Sequence, residues 1–257
     1  MTEIHPTALV NKKAELSENV IVGPFTIIED DVIIDEGTEI ASNVLIASGA
    51  RIGKKCKIFN GAVLGTVPQD LKFGDEKTTL EIGDNTIIRE FCTLNRGTTD
   101  KYKTVVGSNC LIMAYAHVAH DCILGNNVIL ANAVNMAGHV VIEEYAIVGG
   151  IVPIHQFVRI GCHSFVGGGL RVDKDVPPYL LAAGDPLTFA GLNVVGLTRR
   201  GFSKETLFQL KKVYKVLYRS NLNVSQAVAR IKEDFELTPE IKKVVEFIKA
   251  SERGIIK

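Results

Sequence analysis

The chain has 257 residues, enough for one large domain or for a domain with a smaller companion. Hydrophobic residues make up 46% and charged residues 23%, a globular balance rather than a disordered one, and the formal net charge of zero gives no case for nucleic acid. There is no Trp and there are few aromatics, which suits thin layers of small aliphatic side chains better than a bulky mixed core.

The opening residues Met1-Thr2-Glu3-Ile4-His5-Pro6 lack the basic and apolar regions of a signal peptide. No apolar run approaches the length of a bilayer span, so a soluble cytoplasmic protein without membrane insertion is expected. The five cysteines (Cys56, Cys92, Cys110, Cys122, Cys162) are odd in number and widely spaced, and are read as free thiols.

A period of six runs from Ile4 to Val172. Of the 29 slots in that phase, 26 are aliphatic counting Met136, and the misses are Asp70, Glu76 and Asp100. Chance would fill roughly a quarter. The fourth residue after an anchor is often small or β-branched, as at Ala8, Ala14, Val20, Thr26, Ala62 and Ala116. Cys56, Cys92, Cys110 and Cys122 fall in this slot too, so packing accounts for them. The residue just after the anchor is often Gly, Asp, Glu or Ala, as at Gly23, Gly53, Gly83 and Gly125. Short β-branched strands separated by turns follow. Three such sides make a triangular solenoid with 18 residues per coil, its anchors stacked inward on the coil about 4.8 Å below. The spacing does not fix the hand of the coil. The three misses mark loop insertions near 70–80 and 99–105, with the phase kept on both sides, and loops on a rigid scaffold tend to carry function.

The repeat stops near Val172, where Asp175-Val176-Pro177-Pro178 removes ladder donors. Residues 173–202 read as an irregular linker. Helices are predicted from Ser203 to about Arg219, from about Asn223 to Phe235, and from Thr238-Pro239 to about Ser251. The division expected is a β-solenoid over 1–190 and a small helical domain over 191–257.

Residues 18 apart share a column, so His120, Gly138 and Gln156 stack on three successive rungs. His117, His139 and His155 lie beside them, and four of the six histidines gather on adjacent coils. His5 and His163 have no such company and are expected at the surface. Histidine is the natural general base at neutral pH, and a glycine one rung away can leave its N–H open to an oxyanion. The pair suits attack of a hydroxyl on a carbonyl carbon, with Asp121 placed to orient His120 and no nucleophilic Ser or Cys required.

The motifs laid on the repeat are narrower than the repeat itself: Pro68-Gln69-Asp70-Leu71-Lys72, Ala116-His117-Val118-Ala119-His120-Asp121-Cys122, Ala137-Gly138-His139-Val140, His155-Gln156-Phe157, Asp175-Val176-Pro177-Pro178-Tyr179, Gly191-Leu192-Asn193 and Arg199-Arg200-Gly201-Phe202. In this order, with three C-terminal helices, they closely resemble the acyl-carrier-protein–UDP-N-acetylglucosamine O-acyltransferases of lipid A biosynthesis, within the hexapeptide-repeat acyltransferases. The resemblance covers essentially the whole chain. It implies a left-handed parallel β-helix and a homotrimer with sites in clefts between neighbours. It also implies transfer of a 3-hydroxyacyl chain from acyl carrier protein to the 3-position of UDP-N-acetylglucosamine. His120 matches the general base and Gly138 the oxyanion donor. Asp70, Lys72, His117, His139 and Gln156 match residues lining the sugar-nucleotide and acyl sites, and His155 sits in the same motif. Asn193, Arg199 and Arg200 match positions near the nucleotide, where guanidinium suits a diphosphate. Gly168 matches the position that sets acyl length and leaves the slot open to a long chain. No metal or organic cofactor is implied beyond the carrier's phosphopantetheine arm. Val195 replaces an acidic residue of some relatives and puts one nucleotide contact in doubt.

Residues 199–219 hold seven basic side chains against the single acid Glu205, a patch suited to an acidic carrier protein. Three readings compete with acyl transfer to this sugar. A zinc carbonic anhydrase of the same fold would use His117, His120 and His139 as ligands. A purely structural solenoid would need no ordered column of His, Gly and Gln. The N-acyltransferase of the same pathway carries an extra N-terminal domain, whereas here the repeat begins at Ile4.

Overall fold

Each hexapeptide contributes an outward residue and an inward anchor. Ile21 is 43% exposed while its neighbour Val22 is 2% exposed, and the alternation repeats along the chain. In the computed structural model, which describes Met1–Lys257, the strands stack in parallel on three faces of a prism. The first face has eleven strands and begins with Glu3–Ile4. The second and third have eight each and begin with Leu9–Val10 and Glu15–Leu16. Ile4 pairs with Val22 and Val10 with Ile28, which is the 18-residue coil in register. The anchors meet on the axis in one continuous apolar column from Val22 to Val172. The fold is the left-handed parallel β-helix.

The corners have a backbone rule of their own. The third residue after an anchor takes a left-handed φ, as at Asn43 (57°), Asn127 (59°), Asp121 (58°) and His139 (62°). Asn and Asp tolerate this region best. Most of these corner N–H groups donate to the coil before: Asn127 N to the Ser108 carbonyl at 2.9 Å, His139 N to the His120 carbonyl at 3.1 Å. Corner residues therefore stack in columns, and each edge of the prism acquires its own chemistry.

Both extrusions leave from the edge between the second and third faces. Ile58 pairs with Ile88 and Ile88 with Ile112, so one coil carries twelve extra residues and the next six. The excursions end sooner than the sequence suggests. Thr79–Ile82 and Lys103–Val106 are four-residue strands that pair with each other, so Leu80 and Val105 are already back on the coil.

The stretch 173–202 is not an irregular linker. Leu180–Ala183 joins the first face in parallel, with Val166 opposite Ala182, and Thr188–Leu192 turns back antiparallel to it. That spacing is two residues short of a coil, so the period-six pattern could not find it. The last strand also runs across the expected 190/191 boundary. Four helices follow: α1 (Val194–Arg199), α2 (Lys204–Arg219), α3 (Val224–Asp234) and α4 (Pro239–Lys249). Asn193 caps α1, Ser203 caps α2, Asn223 and Gln226 form a capping box on α3, and Thr238 with Pro239 starts α4. Buried Asp175 ties the tail to the last coil: it accepts from Arg159 N at 2.8 Å and Ser251 Oγ at 2.6 Å, and its carbonyl accepts from Ile256 N. All five cysteines are buried and unpaired. Burial pushes Cys92 up to about 11 and Cys122 up to about 12, so these thiols stay protonated and pack as small apolar groups.

Candidate active site

His120 stands at the edge between the second and third faces, two residues after the anchor Val118, and only 10% of its side chain is exposed. Its Nδ1 lies 2.8 Å from Asp121 Oδ2. Asp121 is fully buried, and its carboxylate is surrounded by donors from the second extrusion. Thr98 N and Lys101 N donate to Oδ1 at 3.0 and 3.3 Å, and Thr98 Oγ1 donates to Oδ2 at 2.7 Å. Burial works to raise this carboxyl, but the hydrogen bonds from His120 and Thr98 outweigh it and hold the group below the usual carboxylate range. An ionised Asp121 can only accept, so Nδ1 carries a proton and, in the neutral ring, Nε2 presents its lone pair.

Gly138 lies directly beneath the imidazole. A Cβ there would sit 2.6 Å from His120 Cε1 and 2.7 Å from Nε2, so only glycine leaves the ring in place. The Gly138 N–H donates to no acceptor in the chain. His139 follows, edge-on to His120 at 5.1 Å and stacked on Phe157 at 4.6 Å. Its Nε2 is 3.8 Å from Asp121 Oδ2, and its Nδ1 is 3.2 Å from Asp100 Oδ2 without the alignment of a hydrogen bond. His117 Nδ1 meets Thr93 Oγ1 at 2.7 Å, and burial pushes its pKa down, with His120 adding to the effect. Gln156 occupies the next rung of the column, and exposed His155 bonds the Gln156 carbonyl through Nδ1 at 3.0 Å.

The remaining residues lie elsewhere. Asp70 and Lys72 are in the first extrusion on the same edge, where Asp70 Oδ1 accepts from Lys72 N at 3.0 Å, and neither bonds the histidines. Arg200 is on the edge between the third and first faces, its guanidinium 5.2 Å above the Tyr145 ring. Exposed Arg199 ends α1. Asn193 spends its side chain inside the chain, capping Gly196 N and donating from Nδ2 to the His163 carbonyl at 2.9 Å. Gly168 is exposed on the third edge, beside Gly150. One chain thus distributes the expected site over different edges of the prism.

His163 is a correction. It is not a surface residue but is stacked between Tyr145 at 4.7 Å and Tyr179 at 5.6 Å, edge-on to Phe202. Burial, helped by Arg200 and Lys243, pushes its pKa down to about 4. His5 is exposed, as expected.

Residues 175–256 match the family described as UDP N-acetylglucosamine O-acyltransferase, domain 2, and residues 103–138 match the bacterial transferase hexapeptide family. The acyl-[acyl-carrier-protein]–UDP-N-acetylglucosamine O-acyltransferase of Thiobacillus denitrificans is 49% identical over the whole of both chains. The chain belongs to the acyl-[acyl-carrier-protein]–UDP-N-acetylglucosamine O-acyltransferase family. It is an acyltransferase. The UDP-N-acetylglucosamine acyltransferase of Bacteroides fragilis superposes with a TM-score of 0.97 at 44% identity, covering 99% of this chain and 100% of that one. The Acinetobacter baumannii structure superposes at 0.96 with 42% identity and 99% coverage of each chain.

Within this acyltransferase, the motifs missed Thr98, Thr93 and Thr104, which hold the dyad and His117. Thr104 Oγ1 accepts from Asp121 N at 2.9 Å. All three are short hydroxyls in or beside the second extrusion; Thr93 and Thr98 come alongside the 117–121 corner only through the six-residue offset it adds, whereas Thr104 stands there by the ordinary 18-residue step, as Val106 faces Leu124. The cluster offering ligand atoms within 4.8 Å of one another is His120, Asp121 and His139, not the three histidines of the zinc reading.

Proposed function

We propose that this acyltransferase moves a 3-hydroxyacyl chain from acyl carrier protein to the 3-hydroxyl of UDP-N-acetylglucosamine, the first step of lipid A biosynthesis, with His120 as general base. The observation that carries the chemistry is the His120 ring, with Nδ1 fixed by ionised Asp121 and Nε2 lying over Gly138. Nε2 takes the proton of the sugar hydroxyl as its oxygen attacks the thioester carbonyl. The oxyanion forms against the unpaired Gly138 N–H. Collapse expels the phosphopantetheine sulfur, which receives the proton from Nε2 and leaves as thiol. A positioned base is worth about 10²–10⁴-fold and an oxyanion donor about 10²–10³-fold.

The family names carrier protein and sugar nucleotide as reactants, and the charge supports the first. Lys211, Lys215 and Arg219 follow at intervals of four on α2 and line a groove of about 340 Å³ with Phe189, Leu192 and Val194. Cations around an apolar floor suit the acidic helix of a carrier protein. Two observations support a homotrimer. The chain's own site residues sit on separate edges, which a cleft between neighbours would unite. The edge that carries Gly168 exposes Phe25 at 62%, Phe91 at 49%, Tyr115 at 64% and Ile151 at 72% in one corner column. No helix is long and apolar enough to cross a membrane, in keeping with the cytoplasmic location proposed here. With glycine at 168 the acyl slot stays open, so long chains are expected, and product restricted to short chains would reject this.

The test is a mass-spectrometric transfer assay with wild type and His120→Ala, given UDP-N-acetylglucosamine and a series of 3-hydroxyacyl carrier proteins. Acylated sugar nucleotide from the wild type, largely lost in the variant, is the expected result. Product only from a 3-amino acceptor would change the substrate. No product from either, or stoichiometric zinc with carbon dioxide hydration, would overturn the reading.

A further inference from the structure

Arg96 stands one rung above His120, because Leu94 pairs with Val118 and each lies two residues before. Around it, three consecutive residues grip the first extrusion at both ends. Asn95 Nδ2 donates to Thr66 Oγ1 at 3.0 Å and to the Val67 carbonyl at 3.1 Å. Arg96 N donates to the Thr66 carbonyl at 3.1 Å, and Gly97 N donates to the Thr79 carbonyl at 3.1 Å. The loop between those ends is held at its middle as well: the Arg96 guanidinium lies 5.4 Å above the Phe73 ring, while Nη1 anchors on the Ser48 carbonyl at 2.9 Å. Gly97 is pinned against the second extrusion, where a Cβ would fall 2.3 Å from Lys103 N. The next residue, Thr98, is the one that holds Asp121.

The grip leaves polar groups stranded. Asn95 is 3% exposed with no partner for Oδ1, and Arg96 Nε is buried without an acceptor. A segment kept only to fill the corner would be better served by apolar side chains.

We propose that Asn95–Thr98 is a clasp. Asn95 and Arg96 are positioning residues that hold the 67–78 loop, and with it Asp70 and Lys72, in register with His120, while Thr98 fixes the base from the same four-residue run. The role assigned to Asp70 and Lys72 rests on the sugar-nucleotide reading above; the clasp itself rests on the contacts. Asn95 and Arg96 act through placement of the acceptor, not through the proton transfer.

The experiment pairs Arg96→Ala with Phe73→Ala, which breaks the same contact from the loop side without touching the coil. Hydrogen–deuterium exchange in the absence of substrate reads the clasp directly. In both variants residues 67–78 should exchange about tenfold faster while the coils keep their protection. Steady-state kinetics read the consequence: KM for UDP-N-acetylglucosamine should rise about tenfold with the pH profile of kcat unchanged, and Arg96→Lys should recover part of the loss. Unchanged loop exchange, or faster exchange throughout the coil, would overturn the clasp. So would a fall in kcat with a displaced pH profile and an unchanged KM, because the run would then act only through Asp121. If wild type transfers no acyl group at all, the functional reading fails while the exchange data still decide the clasp.

Discussion

His120 Nδ1 and Asp121 Oδ2 lie 2.8 Å apart although the two residues are chain neighbours. The left-handed φ of 58° at Asp121 turns its carboxylate back under the ring, where the second extrusion supplies Thr98 and Lys101 as further donors. Asp121 sets which imidazole nitrogen carries the proton. Asp121→Asn can present N–H to Nδ1 and favour the wrong tautomer, so kcat should fall by about 10²–10⁴-fold with the fold intact. Kinetics alongside circular dichroism check this. An Asn variant that keeps most of its rate would reduce Asp121 to a structural carboxylate.

Gly138→Ala tests the stacking of base on oxyanion donor. Gly138 has no left-handed φ, so the backbone accepts alanine, but the new Cβ would meet the His120 ring at 2.6 Å. The ring has to leave its place. Activity should fall as far as in His120→Ala while the melting temperature shifts by only about 2–4 °C, the scale of a 1 kcal/mol change for this size. A variant retaining more than about a tenth of the rate would show that the ring tolerates displacement.

His163 makes stability pH-dependent in a defined window. Its folded pKa is depressed to about 4, mainly by burial with Arg200 and Lys243 adding, against about 6.5 in an unfolded chain. Above pH 6.5 both states are neutral and nothing is lost. As pH falls from 6.5 towards 4 the unfolded chain takes a proton that the folded chain refuses, and stability declines. His163→Phe preserves the stack with Tyr145 and Tyr179 and removes the titration. Melting curves between pH 7 and 4.5 should be flatter for the variant, and parallel curves would contradict the assignment.

Charge reversal on α2 separates groove from surface. Lys211 and Lys215 line the groove, whereas Lys212 lies over Phe208 at 4.2 Å. Lys211→Glu with Lys215→Glu should raise the apparent KM for acyl carrier protein by about tenfold or more, with KM for the sugar nucleotide unchanged and a strong dependence on ionic strength. Lys212→Glu should do much less. An effect per charge from Lys212→Glu equal to that of the double variant would point to a diffuse field rather than a docking groove.

The sequence by itself determined the coil. Its anchors recur every six residues because each side of the prism must bury one side chain on the axis, and this local rule survives both extrusions. The stacking of His120 over Gly138 follows from the same arithmetic, and the caps of α2 and α4 were legible because capping is decided by residues close along the chain. The tertiary structure alone decided what depends on broken periodicity. The strand Leu180–Ala183 is invisible to a period of six because it returns two residues early. Thr98 reaches Asp121, and Asn95 reaches Thr66, only because the extrusions add twelve and six residues to particular coils and so change which side chains face each other. His163 looked solitary in the sequence, yet the helices fold Phe202 and Arg200 onto its corner. Tyr145, one coil earlier in the same column, was within reach of the spacing, but Tyr179, Phe202 and Arg200 pack from outside the repeat, and no spacing within it encodes them.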